Sequence, residues 1–177
     1  MSTHKVSEAI KRIEAVLHRR PETGIHDDAP ATAAWKSGTR FVTSHPNGVQ
    51  VPTDMPTEFG GTGDQVTPGW LFRAGLASCS ATSILLAAAA AGIELTSLEV
   101  KAGSRSDTRG LLGMPDADGR AVYGGPTDVT LSVRIAAGGV EPARLRALVQ
   151  AGVRRSPVPN VVTSATPLDL QVDVVGG

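Results

Sequence analysis

The one cysteine of this chain, Cys79, is the residue with the widest choice of chemistry. It lies in Leu76-Ala77-Ser78-Cys79-Ser80-Ala81, a run of small residues that favours a helix. A single thiol cannot form a disulfide within the chain, so three interpretations are open. Cys79 is a buried filler of the core, a metal ligand with distant partners, or a nucleophile.

Other motifs that could bind ions or phosphate are incomplete. The histidines show no His-x-x-x-His pair, and no second cysteine accompanies Cys79. Gly60-Gly61-Thr62-Gly63 lacks the later glycine and the lysine of a phosphate-binding loop. Asp116-Ala117-Asp118-Gly119 lacks the remaining ligands of a calcium loop. We therefore expect no metal and no cofactor.

Composition narrows the class of protein. Lys+Arg and Asp+Glu number 17 each, and 3% of residues are aromatic, so neither charge nor stacking side chains indicate nucleic-acid binding.

The N-terminus lacks the apolar core of a secretory signal, and one cysteine suits a reducing compartment. Residues 74–93 carry no charge, but most are Ala, Gly, Ser or Thr, which gain little from lipid. We expect a cytoplasmic protein that is not inserted in a membrane.

The helix that carries Cys79 has clear limits. Thr67 is an N-cap candidate followed by Pro68, and Gly92 is a C-terminal stop. These limits predict a helix of about 24 residues, ~36 Å long. It is apolar or small on every face, which predicts a central position in the fold, wrapped by protein on all sides. Its small residues would let another helix approach closely.

The rest of the sequence alternates between short strands and amphipathic helices. Residues 4–19 place Val6, Ile10, Ile13 and Leu17 on one stripe of a helix. We expect this helix over 1–20, a linker over 21–30, and one α+β domain over 31–177. Within the domain the pattern predicts strands over 31–35, 40–44, 49–51, 94–104 and 127–136, a loop over 104–125, a helix from Glu141, and a last strand carrying Leu168, Leu170, Val172 and Val174.

The segment from Gly60 to Gly92 resembles the OsmC/Ohr family, the osmotically inducible and organic-hydroperoxide-resistance proteins. The resemblance rests on the Gly-rich loop, on Thr67-Pro68 at the helix start, and on the Ala-Ser-Cys run at Cys79. It extends over about residues 30–175 through the order of elements. It implies curved antiparallel sheets wrapped around central helices in an intertwined homodimer, with active sites at the subunit interface. It also implies that the helix cysteine attacks a peroxide.

The chain departs from that family at the second cysteine of the peroxidase cycle. Where the resemblance implies a Cys-Pro-Val segment, this chain has Ser156-Pro157-Val158. Serine cannot form the disulfide, so an external thiol would have to reduce the oxidised Cys79. Ser156 is then a candidate hydrogen-bond partner of the sulfur.

The resemblance further implies an arginine beside the thiol and an acidic residue that holds this arginine. Arg40 matches the arginine, and Gly69 stands where the acid is expected, so Glu58 or Asp64 is the candidate replacement. Arg73 is the weaker candidate for the arginine. It lies six residues before Cys79, about 600° around the helix, and so points away from the thiol.

Two functions follow from these residues. The first is a one-cysteine, thiol-dependent peroxidase that reduces organic or hydrogen peroxides in oxidative stress, with Cys79 as nucleophile and Arg40 stabilising its thiolate. The alternative is a non-catalytic homodimer of the same fold that binds a small apolar ligand at the subunit interface. The absent second cysteine and the absent acid at position 69 favour the alternative, and the retained Cys79 and Arg40 favour the enzyme.

Overall fold

The computed structural model describes residues 3–164 and 166–176. The chain forms five α-helices and five strands in this part, with short 3-10 turns at Pro21–Gly24 and Thr57–Phe59. In chain order they are α1 (Thr3–Arg19), β1 (Thr32–Ser37), β2 (Arg40–Ser44), β3 (Gln50–Thr53), α2 (Pro68–Ala90), β4 (Leu95–Arg105), α3 (Thr108–Leu111), β5 (Thr127–Ala137), α4 (Pro142–Arg154) and α5 (Pro157–Thr163).

The strands form two separate antiparallel sheets, which confirms the α+β class. The first sheet has the order β1-β2-β3, and the second pairs β4 with β5. In the first sheet the turn around Gly48, which has a φ of 92°, sets a register in which Phe41 lies opposite Thr53. Arg40 and Asp54 therefore lie at adjacent strand ends.

Helix α2 begins and ends where the sequence predicts. The side chain of Thr67 accepts a hydrogen bond from the backbone N–H of Trp70, and Pro68 occupies the first turn. Gly92, with a φ of 67°, follows the last turn. α2 packs against β4, α4, α5 and α1, so it is the element that joins the parts of the subunit.

The core lies between α2, α4 and the second sheet. Its buried members come from α2, from the turn after it and from α4, and they are Ile84, Ala88, Ile93, Leu145 and Leu148. Alternate residues of β4 and β5, such as Val100 and Val133, pack against this cluster. The first sheet contributes little to it, and all six residues of β1 are exposed.

Two predictions about apolar segments are wrong for the subunit. The first concerns α2, which is not wrapped on all sides: one stripe is buried, while Trp70 and Leu86 are exposed. Among the described residues α2 is also the one helix that could cross a membrane by length and composition, a test that a core helix passes as well.

The second concerns the last strand, which is absent, because residues 166–176 are irregular and their alternating apolar side chains are exposed, up to 92% for Leu168. An isolated strand has no partner for its backbone N–H and C=O groups, and none is supplied within the described part of the subunit.

Candidate functional site

Cys79 lies near the middle of α2 and is half-buried with a free thiol. The hydroxyl of Ser156 donates a hydrogen bond to its sulfur at 3.2 Å. Among the described residues, Ser156 is the one side chain whose polar atom contacts this sulfur. A hydroxyl in this position can also donate a hydrogen bond to a negatively charged sulfur, should one form during a reaction.

Ser156 is placed by the junction between α4 and α5. It is fully buried and occupies the N-cap position of α5, yet its side chain makes no capping hydrogen bond. The side-chain oxygen of an N-cap serine usually accepts a hydrogen bond from a backbone N–H of its own helix, whereas the hydroxyl of Ser156 donates to Cys79 Sγ instead. Pro157 in the first turn starts α5 at this point and thereby fixes the direction of Ser156.

The close approach of α4 to α2 brings Ser156 within reach. Gly152, one helical turn before Ser156, packs directly on the backbone of Ile84 in α2. A Cβ at position 152 would lie 2.8 Å from the Cα of Ile84, so no larger residue fits without moving the helices apart. The glycine therefore sets the spacing between the two helices that carry Ser156 and Cys79.

Arg40 belongs to a second polar cluster at the start of β2. Its Nη2 donates to Thr62 Oγ1 and to Asp64 Oδ1, both at 2.6 Å, and its Nε lies 3.7 Å from Asp54 Oδ2. The hydrogen bond from Arg40 lowers the pKa of Asp64 and in turn raises the pKa of Arg40. Both groups are therefore ionised at neutral pH, and the guanidinium is held in one position.

Asp54 is a member of this cluster that the sequence analysis missed. It is 1% exposed and accepts hydrogen bonds from Thr39 Oγ1, from the N–H of Met55 and from the N–H of Thr62. The bond from Thr39, followed by those from Thr62, holds the pKa of Asp54 far below its usual value, although desolvation opposes them. The sequence signal that could have identified Asp54 was the Asn47-Gly48 turn. This turn sets the register between β2 and β3, which brings residue 54 near residue 40.

Asp54 makes the stability of the fold depend on pH. Its folded pKa lies below that of an unfolded Asp, about 3.9, so its contribution is present above that pH and is lost as the pH falls. We expect Asp54→Asn to lower Tm near neutral pH by several degrees and to reduce the fall in Tm between about pH 5 and pH 2. Calorimetry at several pH values measures both effects, with the exposed linker variant Asp28→Asn as a control. A variant with the same pH dependence as the wild type would contradict this role.

The structure separates the candidate residues into two groups. Ser156 contacts Cys79, and Asp64 contacts Arg40. Glu58 forms no hydrogen bond or ion pair with Arg40, and its one side-chain hydrogen bond to a described residue, at 3.4 Å, comes from Thr57. Within the described part of one subunit, no hydrogen bond or ion pair links Arg40 to Cys79. The catalytic roles of these residues stay predictions.

Comparisons with known proteins place this arrangement in context. The family model described as OsmC-like protein matches residues 61–171, which include α2, Cys79 and Ser156. No curated protein sequence matches the chain. The fold is similar to that of an OsmC-like protein from Mycoplasma pneumoniae, with a TM-score of 0.65 and 18% identity over 80% of this chain and 91% of that one.

Two further similar structures are of organic hydroperoxide resistance proteins. One, from Elizabethkingia anophelis, has a TM-score of 0.60 and 22% identity over 80% of this chain and 91% of that chain. The other, a putative member from Vibrio cholerae with captopril in one active site, has a TM-score of 0.54 and 25% identity over 80% and 89%. The family match covers most of the chain and agrees with the fold. This chain belongs to the OsmC-like protein family.

Proposed function

We propose that this protein is a one-cysteine, thiol-dependent peroxidase that reduces organic or hydrogen peroxides. The observation that carries the proposal is the hydrogen bond from the buried hydroxyl of Ser156 to Cys79 Sγ. A thiol that merely fills space needs no such donor, because a free cysteine packs as a small hydrophobe. Family membership and the similar hydroperoxide resistance proteins support the same chemistry.

The reaction proceeds in two stages. The thiolate of Cys79 attacks one peroxide oxygen, the O–O bond breaks, and the leaving alkoxide takes a proton to become an alcohol. The sulfur is oxidised to a sulfenic acid. An external thiol then condenses with it to a mixed disulfide and releases water, and a second thiol restores Cys79. Ser156 cannot replace the external thiol because its hydroxyl forms no disulfide.

A turnover assay tests the proposed activity. We expect the protein to consume cumene hydroperoxide continuously when dithiothreitol is present, and to stop after about one equivalent without it. Cys79→Ser should reduce consumption to the background rate, since no other thiol exists in the chain. Consumption that persists in Cys79→Ser, or its absence in the wild type, would refute the proposal.

We infer that Arg40 of one subunit stabilises the thiolate of Cys79 in the other subunit of a homodimer. Asp54 and Asp64 hold its guanidinium through Nε and Nη2, and among the described residues Nη1 has no hydrogen-bond partner. Nη1 is therefore the group that can contact a second subunit.

We expect Arg40→Ala to slow alkylation of Cys79 by iodoacetamide about tenfold near neutral pH. Arg134→Gln, which removes one positive charge elsewhere, should leave the rate unchanged, and an unchanged rate in Arg40→Ala would remove Arg40 from the site.

The exposed apolar surface supports the homodimer. Three apolar surfaces have no packing partner in the described part of the subunit. They are the exposed side of α2, the sheet of β1–β3, where Trp35 is 65% exposed, and the alternating apolar residues of 166–176. A second copy of the chain would cover them, and 166–176 would then pair with a sheet edge as a strand. Light scattering should give twice the subunit mass of 18.2 kDa; a stable monomer would contradict this inference.

A further inference from the structure

An apolar cavity lies between the start of α2 and the segment that contains α3. Its volume is about 470 Å³, within the range of pockets for small ligands. Apolar side chains from three segments line it: Met55, Phe59, Phe72, Leu111 and Pro126. Cys79 is not among the lining residues, and it lies two helical turns after Phe72, about 10 Å along α2.

The two charged side chains that line this cavity differ in their partners. Asp107 is paired with Arg109, whose Nη2 lies 2.6 Å from its carboxylate. Within residues 3–164 and 166–176, Arg73 has a single polar contact, in which Nη1 donates to Ser104 Oγ at 3.5 Å. No carboxylate of the described chain lies within 4.0 Å of this guanidinium, so its charge is uncompensated beside an apolar surface.

The space beside Arg73 is open because residue 69 is glycine. A Cβ at position 69 would lie 3.6 Å from Arg73 Nη1, and Gly69 itself lines the cavity. An acidic side chain at this position, four residues before Arg73, would form an ion pair within the helix. With glycine there, the guanidinium faces the cavity and can donate hydrogen bonds to a carboxylate from outside the chain.

We propose that this cavity binds a small carboxylic acid with an apolar chain. The carboxylate pairs with Arg73 over Gly69, and the apolar chain packs against Phe59, Phe72 and Leu111. A partly desolvated guanidinium is a strong donor to a carboxylate, and the apolar lining favours a hydrocarbon chain over a second polar group. Binding involves no reaction at the sulfur, so the site goes beyond the proposed peroxidase function.

Calorimetric titration of octanoate into the Cys79→Ser protein tests the site without any redox chemistry. We expect octanoate to bind at least tenfold more tightly than octanol, which has the same chain without the charge, and Arg73→Gln to remove this preference. Arg134→Gln makes the same change in net charge away from the cavity and should bind octanoate as the parent does. Circular dichroism confirms that each variant is folded.

Two substitutions of Gly69 distinguish the effect of a negative charge beside Arg73 from the effect of a larger side chain that fills the cavity. Gly69→Glu should pair with Arg73 and weaken octanoate binding at least tenfold relative to Gly69→Gln, which has the same size and no charge. Absence of octanoate binding to the parent protein would overturn the proposal. So would equal affinities of octanoate and octanol, or equal octanoate affinities of the parent and Arg73→Gln.

Discussion

Ser156→Cys is expected to convert the oxidation product of Cys79 from a sulfenic acid to an internal disulfide in nearly all chains. The hydroxyl oxygen of Ser156 already lies 3.2 Å from the sulfur. A disulfide needs an S–S distance of about 2.05 Å, so rotation of the two side chains supplies most of the approach. After one equivalent of cumene hydroperoxide, the sulfenic acid of Cys79 should condense with the introduced thiol and release water.

Mass spectrometry of the oxidised protein measures this change. The wild type should gain one oxygen, which a sulfenic-acid reagent traps, whereas Ser156→Cys should lose two hydrogens and resist the reagent. Ser132→Cys adds a thiol at an exposed position of β5 and should still give the trappable sulfenic acid. If Ser156→Cys also retains a trappable sulfenic acid and forms no disulfide, the contact between positions 79 and 156 is not as the structure shows.

The second large effect is expected for Gly152→Ala. Its added Cβ would lie 2.8 Å from Ile84 Cα and 3.0 Å from Ile84 N, and these backbone atoms cannot move without moving α2. Separation of the helices disturbs the packing of Leu145 and Leu148, and overpacking of this kind costs about 1–3 kcal/mol. Alanine gains up to about 1 kcal/mol in helix propensity, which offsets part of that cost.

Urea unfolding at one fixed protein concentration measures the change in the free energy of unfolding. We expect Gly152→Ala to unfold at lower urea, while Gln150→Ala, at an exposed position of α4, should stay within about 0.5 kcal/mol of the wild type. Because Ser156 lies one turn after Gly152, alkylation of Cys79 should also change in Gly152→Ala alone. A variant that is more stable than the wild type would contradict the close packing of α4 on α2.

Local signals were sufficient to predict most elements of the subunit, but not α3, which lies within the segment predicted as a loop over 104–125. Thr67-Pro68 and Gly92 set the limits of α2, and alternation of Val129, Leu131, Val133 and Ile135 identified β5. Such patterns depend on a few neighbouring residues and on which face is buried. The strand predicted at 168–174 has the same alternation, but alternation does not supply a neighbouring edge, and the described part of the subunit offers none.

The candidate site was predictable in part. The resemblance pointed to Ser156 as the residue that replaces a cysteine, and the structure places its hydroxyl on Cys79. Asp54 was missed because its environment depends on the path of the loop to Thr62, where Gly61 packs against the carbonyl of Met55. A Cβ at position 61 would lie 1.8 Å from that oxygen, a constraint that the order of residues does not reveal.

The proposed peroxidase activity requires that Cys79 reacts as a thiolate nucleophile that a peroxide can reach. Rapid mixing of the reduced protein with cumene hydroperoxide, followed by thiol titration and sulfenic-acid trapping, tests it most directly. We expect fast loss of one thiol per chain and a trapped sulfenic acid at Cys79, which should not accumulate when dithiothreitol is present. If Cys79 is oxidised no faster than free cysteine, it is not an activated nucleophile and the proposed activity is wrong.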